Sequence, residues 1–324
     1  MKSRRVSHTA VAILAITAWV KSGVLPAEAQ HTSELILCGW GGVSILDLSY
    51  DERPELMTEE SVIDLNKEEE NAPRLAWSWN AKDRKELPDY MKARYHAVDE
   101  CKPVDGGHKV LITSSASGVA LIERKSGKVS FYATVPNAHS AELLPQNRVA
   151  VAASHRDGAA GDRVVVFDLE VPAKEVCSDE LPWGHGVVWD EERQILWALS
   201  NMDIRAYHLE NWDSPTPSLA RVATIELPER GGHDLYPIAG TELLVVSTGR
   251  HCWLFDRDKH RFKLHPILAE ESSVKSIAYN PVTGQLAYIK ADSGSSLSEK
   301  VRLLHPTRTL HFPGRHFYKA RWNY

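Results

Sequence analysis

The chain has 324 residues, of which 43% are hydrophobic and 25% charged, and its formal net charge at pH 7 is −5. This mildly acidic balance argues against nucleic acid as a partner, because nucleic-acid-binding domains are usually basic. The length fits one large all-β domain or two smaller domains.

The first 29 residues have the pattern of a cleaved export signal. Lys2, Arg4 and Arg5 form a positive segment, residues 9–20 are apolar, and residues 27–29 read Ala-Glu-Ala, a small-x-small cleavage pattern. The apolar run is too short for a membrane-spanning helix, which needs about 20 residues. We therefore expect a secreted or periplasmic protein of residues 30–324 with no membrane span after cleavage. The general secretory route and the twin-arginine route both remain open.

Three strands are predicted in the N-terminal part of the mature chain, at residues 34–40, 42–48 and 74–80. Each of them is a short run rich in apolar and aromatic residues, as expected for strands. Residues 49–73, between the second and third strands, are predicted to form an acidic loop insert, in which Lys67–Glu70 is a solvated charge run.

A repeated unit of about 42 to 48 residues follows, and complete copies begin at His96, His139, His185, His233 and Lys275. Each copy has an anchor residue, a short apolar run, a polar turn and a second apolar run, followed by two more strand-like runs. Four short antiparallel strands at this period are typical of a β-propeller blade.

Counting the strands predicts six blades in a single all-β domain over residues 30–324. The five complete copies leave three N-terminal strands and one C-terminal strand, residues 317–322. Three and one make a sixth four-stranded antiparallel blade, in which the C-terminal strand joins strand 34–40. Such a closure would remove the open sheet edges.

The anchor residues are expected to surround the mouth of the central channel, because the loops that enter successive inner strands open on one face of a propeller. The six anchors are His96, His139, His185, His233, Lys275 and His316. Lys319 offers an alternative register for the last anchor. A structural role for each histidine within its own blade is the competing interpretation.

Histidines near a channel mouth can act as general bases or as ligands of a divalent metal ion. His139, His185 and His233 are the candidates for both roles. The candidate substrate-binding residues are His96, Lys275, His316, Lys319, Arg321 and Trp183. Among them, Lys275 or Arg321 would hold a substrate carboxylate, and Trp183 would stack against a sugar ring.

The four cysteines, Cys38, Cys101, Cys177 and Cys252, have no metal-ligand spacing. Export permits disulfides, but a core of this size does not need them. Disulfides and buried free thiols therefore both remain possible outcomes.

Four blocks, residues 137–145 (NAHSAELLP), 183–190 (WGHGVVWD), 231–237 (GGHDLYP) and 317–322 (FYKARW), resemble an exported bacterial β-propeller family of unassigned function, six-bladed and similar to WD40 and YVTN repeats. The resemblance implies the fold and assigns no catalytic residue. A more distant similarity, at the level of the fold alone, is to propeller polysaccharide lyases, which use histidines and basic residues at the channel mouth for β-elimination.

Two classes of function follow from these patterns. The first is a carbohydrate-active enzyme, a lyase or hydrolase of acidic oligosaccharides or polysaccharides, with a divalent metal ion as the candidate cofactor. The alternative is a non-catalytic propeller that binds a glycan or a protein at the same face. A calcium-dependent lactonase is disfavoured because Ca²⁺ prefers oxygen ligands to imidazoles. We expect a monomer.

Overall fold

The computed structural model describes residues 33–49, 60–65, 73–171 and 174–324. These residues form six sheets, each with four antiparallel strands, and one sheet carries an additional strand. The predicted six-bladed β-propeller is therefore confirmed. The export signal and the acidic run at 67–70 lie outside the described residues.

The strands of the first three blades follow the chain, except that blade 1 takes its innermost strand from the C-terminus. Blade 1 contains β25 (Phe317–Trp322), β1 (Glu34–Gly39), β2 (Gly42–Asp47) and β4 (Arg74–Trp79). Blade 2 contains β5 (Val98–Val104), β6 (Lys109–Ser114), β7 (Gly118–Glu123) and β8 (Val129–Thr134). Blade 3 contains β9 (Ala138–Leu144), β10 (Arg148–Ala153), β11 (Arg163–Asp168) and β12 (Glu175–Glu180).

The other three blades have the same order from the axis outward. Blade 4 contains β13 (Gly186–Asp190), β14 (Ile195–Leu199), β15 (Asp203–Glu210) and β16 (Ser218–Glu226). Blade 5 contains β17 (Asp234–Pro237), β18 (Leu243–Ser247), β19 (Cys252–Asp256) and β20 (Arg261–Leu264). Blade 6 contains β21 (Val274–Tyr279), β22 (Leu286–Lys290), β23 (Lys300–Leu304), β24 (Arg308–His311) and β3 (Glu60–Val62).

The connection from β4 to β5 contains short helical segments. They are one short α-helix, Asp89–Lys92, and two 3₁₀ helices, Ala81–Asp83 and Ala93–Tyr95. The Tyr95 hydroxyl donates a hydrogen bond to the Val119 carbonyl at 2.8 Å, which ties this connection to blade 2. Across the described ranges, no helix has the length and apolar character needed to cross a membrane.

The ring closes through antiparallel pairing between the last strand and the first, as the strand count predicts. Leu35 of β1 lies opposite Trp322 of β25, and Cys38 lies opposite Lys319. Without β25, the inner edge of β1 would expose unpaired backbone donors and acceptors.

The core lies between the blades, and the alternation of side chains along each strand produces it. In β1, Leu35 and Leu37 pack into the same apolar cluster as blade 6, whereas Ile36 and Cys38 pack into the cluster shared with blade 2. Successive residues of a strand point to opposite faces, so one inner strand supplies both interfaces.

The insert at residues 49–73 departs from the loop prediction in its described part. Residues Glu60–Val62 form β3, which pairs in parallel with β24 at the outer edge of blade 6. Ile63 follows with a 4% exposed side chain in the core cluster of that blade. The pairing of β3 and the burial of Ile63 attach this part of the insert to blade 6. The acidic composition of the segment did not indicate this attachment.

Candidate functional site

One residue near the start of each innermost strand lies outside the regular pairing. In blade 3, Ala138 and Ser140 pair with consecutive residues of β10, so His139 between them forms a β-bulge. The same irregularity leaves Asp99, Lys275 and Tyr318 unpaired in their strands. Bulges reorient side chains and are frequent next to functional sites.

In blades 4 and 5 the corresponding residues are His185 and His233, which come directly before the inner strands. Their backbone N–H groups donate to the carbonyls of Leu199 and Ser247, the last residues of the neighbouring strands. Each blade therefore presents one side chain at equivalent positions. We call this set the axial ring: Asp99, His139, His185, His233, Lys275 and Tyr318.

Distances between neighbouring side chains show that five of the six members, all except Asp99, form a closed series around the axis. The ring centroids of His139 and His185 are 4.3 Å apart, and those of His185 and His233 are 5.2 Å apart. The Lys275 Nζ lies 3.2 Å from His233 Nε2 and 6.0 Å from the centroid of Tyr318. The Tyr318 ring in turn lies 6.0 Å from that of His139. The repeat pattern predicted the equivalent positions of four of these six residues, namely His139, His185, His233 and Lys275.

The hydrogen bonds of His139 and His185 fix their tautomers. Nδ1 of His139 lies 3.0 Å from the Asn137 carbonyl, and Nδ1 of His185 lies 2.8 Å from the Trp183 carbonyl. A carbonyl can only accept a hydrogen bond, so Nδ1 carries the proton in each neutral imidazole. Nε2 of each ring then carries a lone pair, for which the described residues show no hydrogen-bond donor.

His233 is arranged differently because Lys275 lies beside it. Its Nε2 accepts from the Lys275 ammonium, and its Nδ1 is buried without a hydrogen-bond partner among the described residues. Burial and the positive charge of Lys275 lower the pKa of His233 to about 3. The imidazole is therefore neutral at physiological pH.

Burial also lowers the pKa of His139 and that of His185, and the charge of Lys319 adds to the effect on both. Burial raises the pKa of the Asp99 carboxyl. Burial and Lys319 lower the pKa of Lys275 to about 8, and no carboxylate of the described residues pairs with its ammonium. At neutral pH three side chains of the ring are thus uncharged imidazoles, and Lys275 is a cation without a carboxylate partner among the described residues.

A fully buried layer of ion pairs lies next to the ring along the inner strands. Arg321 Nη2 lies 3.1 Å from Glu100 Oε2 and 2.6 Å from Asp234 Oδ1. Lys319 Nζ lies 3.2 Å from Glu100 and 3.1 Å from Asp234. Burial alone would raise the pKa of Glu100, but Arg321 and Lys319 lower it well below its usual range.

This layer contains Arg321 and Lys319, which were predicted to bind substrate. Their side chains are 0% and 1% exposed, and both are neutralised by the two carboxylates. The carboxylates that pair with these two cations belong to distant repeats. The sequence alone therefore did not show that the cations are already paired. Their ion pairs join blade 1 to blades 2 and 5.

A further buried pair extends the ionic layer. Lys102 Nζ lies 2.9 Å from Glu142 and also donates to the Val187 carbonyl, which links blades 2, 3 and 4. Burial raises the pKa of Glu142 despite this pairing. The cation of Lys102 was not among the predicted site residues.

Trp183 lies at the rim of the same face. Its side chain is 49% exposed, and its ring stacks on His155 with a centroid distance of 4.9 Å and an interplanar angle of 22°. His155 is held by Asp162 at 2.6 Å and by Asp157 at 3.1 Å. The indole is accessible to a ligand, as the sequence suggested, but it is outside the axial ring.

The prediction that His96 and His316 join the ring is wrong. His96 is exposed, and its Nδ1 lies 2.9 Å from the Ala93 carbonyl at the end of the 3₁₀ helix. His316 packs edge-on against Trp40, with ring centroids 5.2 Å apart, beside the β1–β2 turn. In β5 the bulge places Asp99, rather than His96, at the axial position. In β25 the bulge places Tyr318, rather than His316, at that position.

Of the two residues that sequence reasoning missed, Tyr318 had a usable signal. It lies 43 residues after Lys275, within the interval of the other blades, and belongs to the predicted inner strand, residues 317–322. Asp99 had no such signal, because its distance of 40 residues from His139 falls outside that interval.

The predicted metal role of His139, His185 and His233 finds no matching geometry. Within the part of the chain that the structure describes, no group of three or more His, Cys, Asp or Glu side chains could hold a metal ion. The ammonium of Lys275, 3.2 Å from His233 Nε2, already occupies the lone pair that a metal would need.

The comparisons with known proteins agree with the fold-level resemblance. Residues 47–272 match the model of a family of unknown function, DUF6528, and no curated protein matches the chain. The matched segment covers more than half of the sequence and includes four of the six axial residues, Asp99 to His233. The chain therefore belongs to DUF6528, a family of unknown function with a six-bladed β-propeller fold in this member.

Proposed function

We propose that the axial ring binds the carboxylate of an acidic saccharide. The observation that carries this proposal is Lys275, a cation without a carboxylate partner among the described residues, next to imidazoles that are uncharged at neutral pH. A buried cation without a counter-ion is costly, so binding an anion there is favourable. Arg321, the other predicted carboxylate partner, is fully buried and already paired with Glu100 and Asp234, which favours Lys275 for this role.

The same ring supports β-elimination at a uronic acid. This reaction needs a base near the acidic C–H bond and positive charge at the carboxylate, where the enolate-like transition state develops. Nε2 of His139 or His185 supplies the base, and Lys275 supplies the charge. A bound carboxylate adds negative charge, which raises the pKa of the neighbouring imidazoles and makes them stronger bases.

The exposed ring of Trp183 supports a saccharide as the carrier of the carboxylate. Its partner His155 keeps the indole face in place through its own bonds to Asp162 and Asp157. Aromatic faces at a channel rim suit the apolar faces of sugar rings.

Binding is tested by calorimetric titration with galacturonate oligosaccharides and with their methyl esters, which have the same sugars without the charge. We expect heat of binding for the acids only, and loss of that binding in Lys275→Met. Lys125→Met removes an exposed lysine of blade 2 and should bind as the wild type does. Equal binding of acids and esters would contradict the proposal.

Catalysis is tested by the ultraviolet absorbance of an unsaturated uronate product. Replacement of a positioned base lowers the rate by roughly 10²- to 10⁴-fold. We expect a loss of this size in His139→Gln or His185→Gln, with unchanged affinity for the acidic saccharide.

A non-catalytic binding role is the second candidate function, and the depressed histidine pKa values favour it. An imidazole with a pKa far below neutrality is a weak base, so a ring of this kind can bind an anion without turning it over. Binding of galacturonate oligosaccharides without any unsaturated product would support this role.

We also propose that the protein is exported, on the evidence of the positive segment, apolar run and Ala-Glu-Ala pattern of residues 2–29. N-terminal sequencing of the protein recovered from its native cell should begin at Gln30. Recovery of a chain that begins at Met1 would contradict export by cleavage.

A further inference from the structure

Lys275 differs from the other two lysines of the channel in its partners. Lys102 is paired with Glu142 at 2.9 Å, and Lys319 is paired with Glu100 and Asp234 at 3.2 and 3.1 Å. The Lys275 Nζ instead faces the lone pair of His233 Nε2 at 3.2 Å.

Two features of the surroundings of Lys275 disfavour its charged form, namely burial and the neighbouring charge of Lys319. It is 8% exposed. The ionisable groups that face it are His233 before β17, Tyr318 and Lys319 of β25, and His139 of β9. Burial and the charge of Lys319 lower the pKa of Lys275 to about 8.

A lysine placed in this way is a nucleophile. Desolvation and a neighbouring cation are the two means by which proteins produce a neutral amine near neutral pH. With a pKa of about 8, about one tenth of the side chains are neutral at pH 7, whereas an ordinary lysine is almost entirely charged.

We propose that the Lys275 amine forms an imine with a small aldehyde or ketone that enters the channel. The neutral amine, which forms when the ammonium loses a proton to solvent, attacks the carbonyl carbon to form the C–N bond, and one of its two protons passes to the carbonyl oxygen as the C=O double bond becomes single. Loss of this hydroxyl as water, with the remaining N–H proton, gives the C=N bond. No oxidant or reductant takes part in these steps.

This inference is independent of carboxylate binding, because the two use opposite protonation states of Lys275. An uncharged carbonyl compound such as glycolaldehyde therefore tests imine formation alone. If glycolaldehyde forms no adduct, the proposal of carboxylate binding still stands. If uronates do not bind, the proposal of imine formation still stands.

The experiment is reductive trapping of the purified protein with glycolaldehyde and cyanoborohydride from pH 6.5 to 9.5, followed by peptide mapping by mass spectrometry. At pH 8 we expect Lys275 to be modified at least about tenfold faster than the exposed Lys125 in the same sample, because a lysine with a pKa of about 8 is neutral far more often than an ordinary lysine. The rate at Lys275 should reach half of its maximum near pH 8.

The map of the wild-type protein decides the question without any variant. Modification spread over surface lysines without preference, or a half-maximal pH near that of Lys125, would overturn the proposal. Lys275→Arg should remove the preferred adduct, while Lys125→Arg should leave it unchanged.

Discussion

Arg321 of the last strand and Glu100 of the second blade form a bidentate ion pair, with Nε 3.0 Å from Oε1 and Nη2 3.1 Å from Oε2. The same guanidinium bonds to both carboxylate oxygens of Asp234 in the fifth blade. Blades 1, 2 and 5 are thereby tied together at the axis, beyond the backbone pairing of β25 with β1. The C-terminal strand closes the ring and also supplies the charges that hold its centre.

Replacing Arg321 with Met should therefore destabilise the protein strongly. It leaves two carboxylates buried with less compensating charge, and breaking a buried ion pair in this way costs about 3–5 kcal/mol. Urea denaturation measures the free energy of unfolding. The control is Arg315→Met, on an exposed loop residue, for which we expect a change within about 0.5 kcal/mol. Similar stabilities for the two variants would show that the network contributes little.

The described part of the insert should contribute to stability through Ile63. This side chain is 4% exposed in the cluster of blade 6, whereas that of Val62, one residue earlier, is 63% exposed. Ile63→Ala should cost about 2–5 kcal/mol, in the range of buried large-to-small substitutions. Val62→Ala should change the free energy of unfolding by less than about 0.5 kcal/mol. If both variants unfold at the wild-type denaturant concentration, the insert is not part of the core.

His233 should make stability depend on pH in the weakly acidic range. Its pKa is about 3 in the folded protein, against about 6.5 in an unfolded chain. Between these values the unfolded chain binds a proton that the folded protein does not, so the free energy of unfolding falls as the pH falls. The loss begins near pH 6.5 and continues toward pH 3.

Denaturation of wild type and His233→Gln at pH 6.5 and pH 5 isolates this effect, because most carboxylates remain ionised in that interval. The wild type should lose more stability than the variant, by up to about 1.4 kcal/mol per pH unit from this group. Equal losses in the two proteins would mean that His233 is not shielded from protons.

The cysteines should be almost inert in the folded protein. All four are free thiols, and Cys38, Cys101 and Cys252 are buried. Cys177 is partly accessible, but burial raises its pKa to about 11, which makes it a poor nucleophile. A thiol-specific chromogenic reagent at pH 8 should therefore react slowly with one thiol, and Cys177→Ser should abolish that reaction.

The other three thiols should react only after denaturant is added. Fewer than four reactive thiols in the denatured, unreduced protein would indicate a disulfide that the structure does not contain.

The sequence by itself determined the number of blades, their order and the closure by residues 317–322. These features rest on local patterns, a repeat of 42 to 48 residues and period-two alternation of apolar residues, which each blade carries within its own segment. The same repeat located His139, His185, His233 and Lys275, since equivalent positions in successive blades must meet at the axis.

Only the tertiary structure decided which side chains form the site. Arg321 and Lys319 are paired with Glu100 and Asp234, which lie far away in sequence. No local sequence pattern therefore shows that these two cations are already paired. A bulge of one residue places Asp99 and Tyr318 in the ring and leaves His96 and His316 outside. Burial and ion pairing depend on which distant segments pack together. These two effects distinguish Lys275, the one cation of the described ring without a carboxylate partner, from Arg321 and Lys319, which are neutralised by ion pairs.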